Sequence, residues 1–429
     1  MTVNVIGWTK RRIRNLIMGI VRPHPRVYSY VLSVLYAWRK RRYEKMTLSA
    51  EVDPKLVIFE SFMGRSYSDN PRAIYEYMLS DKRFNDYTFM WVFRGLKIDE
   101  GKIPPNPLLN RSRILRYKST EYHEAYARAG VWVTNSRLPG YMLKKPDQYY
   151  IQTWHGTPLK RLGYDVVPAD RDAVRSKDDI MLLNDRDALR YNAMISASPF
   201  VTKVFTSSFN LPCINPDCQL WETGYPRNDR LCTATPAEID RLKEQYDLPK
   251  DKQIILYAPT WRDNQHLTGV GYTYENEMDF DRLKKQFGDT HVILFRPHYF
   301  IANEFDFDAY GDFVRNAADV QDINDLYLVA DMLITDYSSV FFDYSLLRRS
   351  VVFYMYDLAQ YAGDVRGFYM SLDTLPGPIS EDMESLIHHI KNPPKADTTY
   401  DEFVRKFSPH HDGQASQRVA EKILAYNKK

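Results

Sequence analysis

Three short stretches carry residue types able to handle a phosphate ester. "QTWHGTPLK" sets His155 beside Gly156 and Thr157, with Lys160 close behind. "FRPH" brings Arg296 and His298 together, and "ITDYSSVFFDYSLL" places Asp336, Ser338 and Ser339 ahead of an apolar helical pattern. An imidazole titrates near neutrality and can take a proton from an attacking hydroxyl, and a glycine beside it lets a substrate approach the backbone. His155 fits a polar turn residue equally well, and both readings stand on these residues alone. The serines also fit two roles. They could simply cap the helix that follows, or they could donate at an anion site built from the free N–H groups of its first turn. Arg296 and His298 on a neighbouring loop favour the anion, since a cation and an imidazole there have no simple structural use.

The elements that must position these groups alternate between short apolar runs and amphipathic helical stretches, the pattern of parallel α/β sheets. "KLVIFES", "YTFMWVF", "AGVWVTN", "YYIQTW" and "AMISAS" read as strands of one sheet, and "QIILYAPT", "HVILFRPH", "ADMLITDYSS" and "SVVFYMYD" as strands of another. Ligands of such sheets bind beyond the carboxyl ends of the strands. Thr260 and Arg262, after "IILYAP", therefore join Arg296, His298 and the serines on one rim. In "TPAEIDRLKEQYDL", Thr235, Pro236 and Glu238 form a capping-box signature at the start of the second half. The expected division is 1–50 as an arm, 51–233 as a first Rossmann-like domain and 234–429 as a second. A terminal helix bearing Val419, Ile423 and Tyr426 on one face is expected to pack back across the junction.

With 429 residues the chain is too long for one ordinary core. Its net charge of +3 conceals an asymmetry: residues 1–48 hold eleven basic side chains and one acid, Glu44, so the body is acidic. "VYSYVLSVLYAW" (27–38) is too short to cross a bilayer, and Val27, Val31, Val34, Leu35 and Trp38 share a helical face flanked by arginines, as in an interfacial helix. Docking on an anionic membrane surface is the favoured reading, ahead of a helix packed on the body. Nucleic acid is disfavoured because no recognition motif accompanies the charge. Cys213, Cys218 and Cys232 make neither a disulfide framework nor a zinc pattern, which suits a reducing, cytosolic setting. No signal-peptide pattern opens the chain.

"WHGTPLK", "TGYPRND", "YAPTWRD", "FRPH" and "DINDLYLVADMLITDYSSVFFDYSLL", in that order and spacing, resemble the CDP-glycerol glycerophosphotransferase family of teichoic acid synthesis. The resemblance runs from about residue 55 to 410. It implies a GT-B-like fold, two Rossmann-type domains facing a cleft, and a reaction in which an acceptor hydroxyl attacks the β-phosphorus of CDP-glycerol and releases CMP. It further implies His155 as general base and His298 against the pyrophosphate. Arg296, Thr335, Asp336, Ser338 and Ser339 would hold the diphosphate with Arg262 nearby, and Asp343 would orient the site. Neither cofactor nor metal is implied. The partners implied are CDP-glycerol and a lipid-linked acceptor at the cytoplasmic face of the membrane, and no large extra domain precedes the motifs, which suits a compact transferase. A CDP-ribitol transferase on the same scaffold, a sugar-nucleotide glycosyltransferase and an inactive membrane-docked scaffold are the rivals; "RPH" with "DYSS" argues against the glycosyltransferase.

Overall fold

The computed structural model describes residues 24–103, 106–166, 177–260, 266–267, 271–272, 278–297, 305–358 and 367–427. The first half forms seven strands: β1 (Asp53–Glu60), β2 (Thr88–Phe93), β3 (Arg113–Arg116), β4 (Ala129–Thr134), β5 (Tyr149–Gln152), β6 (Ala193–Ser196) and β7 (Gln219–Glu222). They lie in the order β3-β2-β1-β4-β5-β6-β7, every pair parallel. The two that no apolar run announced, β3 and β7, are the edges, where only one residue of each is buried. The second half forms β8 (Gln253–Ala258), β9 (His291–Phe295), β10 (Val314–Asn316), β11 (Met332–Thr335), β12 (Ser350–Tyr354) and β13 (Ile379–Ser380), in the order β10-β9-β8-β11-β12-β13, again all parallel. Both halves thus repeat the doubly wound strand order, which reverses between β1 and β4 and between β8 and β11. Such reversal points are where ligands bind. The two-layered burial that this architecture demands is visible along β8: Ile254, Leu256 and Ala258 enter one apolar cluster, while Ile255 and Tyr257 enter the other.

The helix α1 (Pro25–Ser49) divides into two parts. Toward its C-terminus Tyr43 and Thr47 are buried on the body. Toward its N-terminus Val27, Tyr30, Val34 and Trp38 stay exposed, whereas Val31 and Leu35 turn half inward. The expected single apolar face is therefore split, because the helix must dock and present a surface at once. Residues 1–23 of the arm lie outside the described residues. The capping box after Thr235 closes on one side only: Thr235 accepts from the Glu238 amide at 3.3 Å, and the Glu238 carboxylate turns to Arg230 at 2.7 Å. The last helix, Ala415–Tyr426, returns to the first half, where Val419 and Ile423 join its core and Asp229 accepts from the amides of Ala415 and Ser416.

The two halves are fastened by charge. Arg227, which follows β7, donates to Asp69 at 3.1 Å and to Asp343 at 2.7 Å, and the three side chains are at least nine-tenths buried. Asp69 opens the helix α2 (Asp69–Ser80) of the first half, and Asp343 lies in the short helix Val340–Tyr344 of the second. Asn228 adds a second bond to Asp343 at 2.8 Å, and Asn324 holds the Arg227 carbonyl at 2.5 Å. Arg72 on α2 reaches Asp322 at 3.0 Å alongside. Removing one partner from such a group leaves an uncompensated buried charge. Arg227→Met should lower unfolding stability by about 3–5 kcal/mol in equilibrium denaturation. Adding Asp69→Asn and Asp343→Asn to it should recover part of the loss; a triple variant no more stable than the single one would show that the charges are not what joins the halves.

Candidate active site

His155 sits in the loop after β5, and the loop's shape is fixed from beneath. Thr153 donates its amide to the Thr134 carbonyl at 2.7 Å, and Asn70 donates to the carbonyls of Thr153 and Trp154 at 3.2 and 3.3 Å. Trp154 adopts a left-handed φ of 53°, a conformation rare for a bulky residue, and its amide is held by Gln152 at 3.0 Å. This turn sends the histidine outward. Its ring stacks on Trp154 at 4.7 Å and lies 6.0 Å from the Phe62 ring, with its remaining side open to the cleft.

The electronic state of that ring follows from one contact. His155 Nδ1 lies 2.8 Å from the carbonyl oxygen of Asn135. A carbonyl only accepts, so Nδ1 carries the proton and Nε2 keeps its lone pair. Desolvation pushes the imidazole pKa below its ordinary value, the Asn135 carbonyl and Asp69 oppose that shift, and Arg227 adds to it. That direction favours the neutral ring, with Nε2 as the nitrogen that accepts a proton.

Gly156 brings the second half to this point. A side chain there would meet the Ser339 hydroxyl at 3.2 Å and an Arg227 nitrogen at 3.5 Å, so the histidine loop and the serine loop touch across the cleft. Ser339 starts the helix Val340–Tyr344 without making a side-chain capping bond, which removes the plain capping role from it. Ser338 and Ser339 are both half-buried at this rim. Asp343 is gripped by Arg227 and Asn228, consistent with orienting the site.

Other expected residues have different work. Thr335 is fully buried and donates to the Ala258 carbonyl at 2.8 Å, and Asp336 accepts from the Thr260 amide at 2.8 Å. These bonds staple β8 to β11 at the strand reversal and shape the rim. They do not direct Thr335 at a ligand, and a carboxylate used in this way is no anion donor. Arg296 spends one guanidinium nitrogen on the carbonyls of Ala317 and Val320, at 2.8 and 3.0 Å, so it does have a structural use that its position on the strand end conceals. Thr157 is buried beneath the histidine loop rather than open to the cleft. Lys160 lies on the seam between the halves, its backbone bridged to Phe368. His298 and Arg262 fall outside the described residues. Asp69, Asn70, Asn135, Arg227 and Asn228 were not singled out from sequence; for the arginine and its neighbour the only trace was the stretch "TGYPRND". Among the described residues no three His, Cys, Asp or Glu side chains gather as metal ligands would.

Comparison with known proteins identifies the family. Residues 42–425 match the family model described as CDP-glycerol:poly(glycerophosphate) glycerophosphotransferase. The chain is 38% identical over 379 residues to the teichoic acid poly(glycerol phosphate) polymerase of Staphylococcus epidermidis, covering 87% of this chain and 51% of that one. It thus spans about half the length of that relative. It is 36% identical to the teichoic acid glycerol-phosphate transferase of Staphylococcus aureus, covering 88% of this chain and 95% of that one. A solved structure of the wall teichoic acid polymerase TagF superposes with a TM-score of 0.80 at 34% identity, covering 100% of this chain and 99% of that one. With the doubly wound halves, the cleft between them and the matched motifs, the chain belongs to the CDP-glycerol:poly(glycerophosphate) glycerophosphotransferase family.

Proposed function

We propose that the protein transfers glycerol phosphate from CDP-glycerol to a hydroxyl of a membrane-associated, lipid-linked acceptor, in the synthesis of teichoic acid or a related polyol-phosphate polymer, and releases CMP. The observation that carries this reading is His155, whose Nδ1 is held by the Asn135 carbonyl, on the loop whose Gly156 meets Ser339 of the other half. The acceptor O–H attacks the β-phosphorus of the donor while Nε2 takes its proton. The bond from that phosphorus to the bridging oxygen breaks, and CMP leaves with the electron pair. Asp69 favours the imidazolium so formed. Ser338 and Ser339 donate to the diphosphate, and Thr260, Asp336 and Arg296 shape the loops around it.

The location proposed is peripheral, at the cytoplasmic face of the membrane. Among the described residues no helix is long and apolar enough to cross a membrane. Val27, Tyr30, Val34 and Trp38 are 49–70% exposed on α1, followed at once by Arg39, Lys40, Arg41 and Arg42. Apolar insertion next to a basic run is how an interfacial helix holds an anionic surface.

His155→Asn should cut CMP release by on the order of 10²–10⁴ while leaving CDP-glycerol affinity unchanged. Wild-type turnover in that variant would remove the histidine from the mechanism. Because the base must be neutral and its pKa is lowered, the acid limb of kcat/KM should have its midpoint below the ordinary histidine value of about 6.5. Ser339→Ala should raise the KM for CDP-glycerol with no fall in thermal midpoint, since no capping bond is lost. A loss of about 1 kcal/mol with unchanged KM would make it a cap after all. Val34→Asp with Trp38→Asp should weaken co-sedimentation with phosphatidylglycerol vesicles, and the binding that remains should fall further as salt rises. Unchanged sedimentation would exclude the helix as a membrane contact.

A further inference from the structure

Where α1 docks, it leaves a recess, open to solvent, against the helix Thr120–Arg128, lined among others by Trp38, Arg39, Arg42, Lys118, Ser119 and His123. Three of its lining side chains are cations and none is a carboxylate. Of the acids nearby, Glu44 pairs with Lys40 at 3.7 Å, Glu121 bonds Ser119 and its own amide, and Glu60, buried under Tyr126 at 3.0 Å, acts on Lys118 from below. Burial raises the Glu60 carboxyl to about 7, against the opposing pull of Tyr126, Lys118 and Arg94. Lys118 itself holds a left-handed φ of 60°, and Arg42 is steadied on Thr120 at 2.9 Å with its guanidinium 5.6 Å from the Trp38 ring. Like charges gathered with no carboxylate in the lining favour an anion between them.

The recess is also continuous with two other features. On one side Trp38 belongs both to its lining and to the exposed apolar residues of α1. On the other side the Tyr117 ring carries Lys118 at 4.9 Å and Arg94 at 6.0 Å, Arg94 donates to the Met63 carbonyl at 3.3 Å, and the adjacent Phe62 ring lies 6.0 Å from His155. A basic track thus leads from the apolar helix to the imidazole, along the carboxyl ends of β3, β2 and β1.

We propose that this recess binds the anionic phosphate headgroup of the lipid-linked acceptor, with the hydrocarbon against Val34 and Trp38 and the polar chain running over Tyr117 and Arg94 to His155. The proposal rests on the reading that the acceptor is lipid-linked. It assigns Arg39, Arg42 and Lys118 as acceptor-binding residues, remote from the donor, and it gives the docked half of α1 a role that surface attraction alone would not require.

The test uses the full chain with the nucleotide site saturated by CDP, and dodecyl diphosphate as the probe, followed by calorimetry. Arg39→Gln/Arg42→Gln/Lys118→Gln should weaken probe binding at least tenfold. The charge-matched variant Lys40→Gln/Arg41→Gln/Lys45→Gln, outside the recess, should leave it within twofold. Equal loss in both variants would reduce the site to diffuse charge and overturn it, as would no loss in either. Phosphatidylglycerol vesicles separate the two sources of a phosphate headgroup. Both variants should lose vesicle affinity equally, and a greater loss in the recess variant would put bulk lipid there and overturn the acceptor assignment. Arg39→Gln alone, which breaks no contact described for Arg42, guards against misfolding and should still weaken the probe severalfold. Because binding is read without turnover, absence of CMP release from the wild type would count against the glycerophosphotransferase reading and not against the site.

Discussion

The cleft depends on one buried guanidinium. Arg227 has Asp69 of the first half on one side and Asp343 of the second on the other, and no water-exposed arrangement is available to any of the three without separating the halves. A group of this kind contributes little net stability against apolar residues of the same size, because desolvation of the ions offsets most of their attraction. Its effect is on geometry. A small slide of one sheet past the other would strand a charge, at a cost of several kcal/mol, whereas an apolar seam could slide for much less. The seam's other bonds, from Arg72 to Asp322 and from Asn324 to the Arg227 carbonyl, hold the same register. The approach of Gly156 to Ser339 follows from it.

The same arginine tunes the base without disabling it. A lone cation near an imidazole would drive its pKa down and weaken it as a proton acceptor. Here the cation arrives with two carboxylates, and Asp69 acts on His155 in the opposite direction to Arg227. What remains is mainly the effect of the surroundings on a ring held at Nδ1 by Asn135. Tautomer and orientation are therefore set by the protein before any substrate enters, which is the preorganisation that the proposed proton transfer requires.

How much of this was legible in the sequence depends on the range of the interaction. Strands such as β1, β4, β8 and β11 are buried on both faces, and their unbroken apolar runs announce them; β3 and β7 lie at edges and carry no such signal. The serine and histidine loops could be placed at strand ends because parallel sheets always present those ends together. Whether a side chain at a strand end faces a ligand or its own neighbours is not a local property. Thr335 and Arg296 turn back to the backbone, and Ser339 does not, and each outcome is decided by loops 20 or more residues away. Arg227 is the extreme case: its partners are 158 and 116 residues distant, so no window of sequence contains the triad.

The arm shows why a charge count is not yet a mechanism. Eleven basic residues in a short segment predict attraction to an anionic surface, and any order of them would do that. The fold makes an ordering. Tyr43 and Thr47 anchor α1 so that Arg39 and Arg42 line the recess against the body, whereas Lys40, Arg41 and Lys45 lie outside it. A helix fixed in this rotation could present one set of cations to the proposed membrane surface and another to the proposed acceptor. On the proposed reading of a lipid-linked acceptor, transfer requires both: a surface that brings the chain to the membrane, and a bound headgroup that determines which hydroxyl reaches His155.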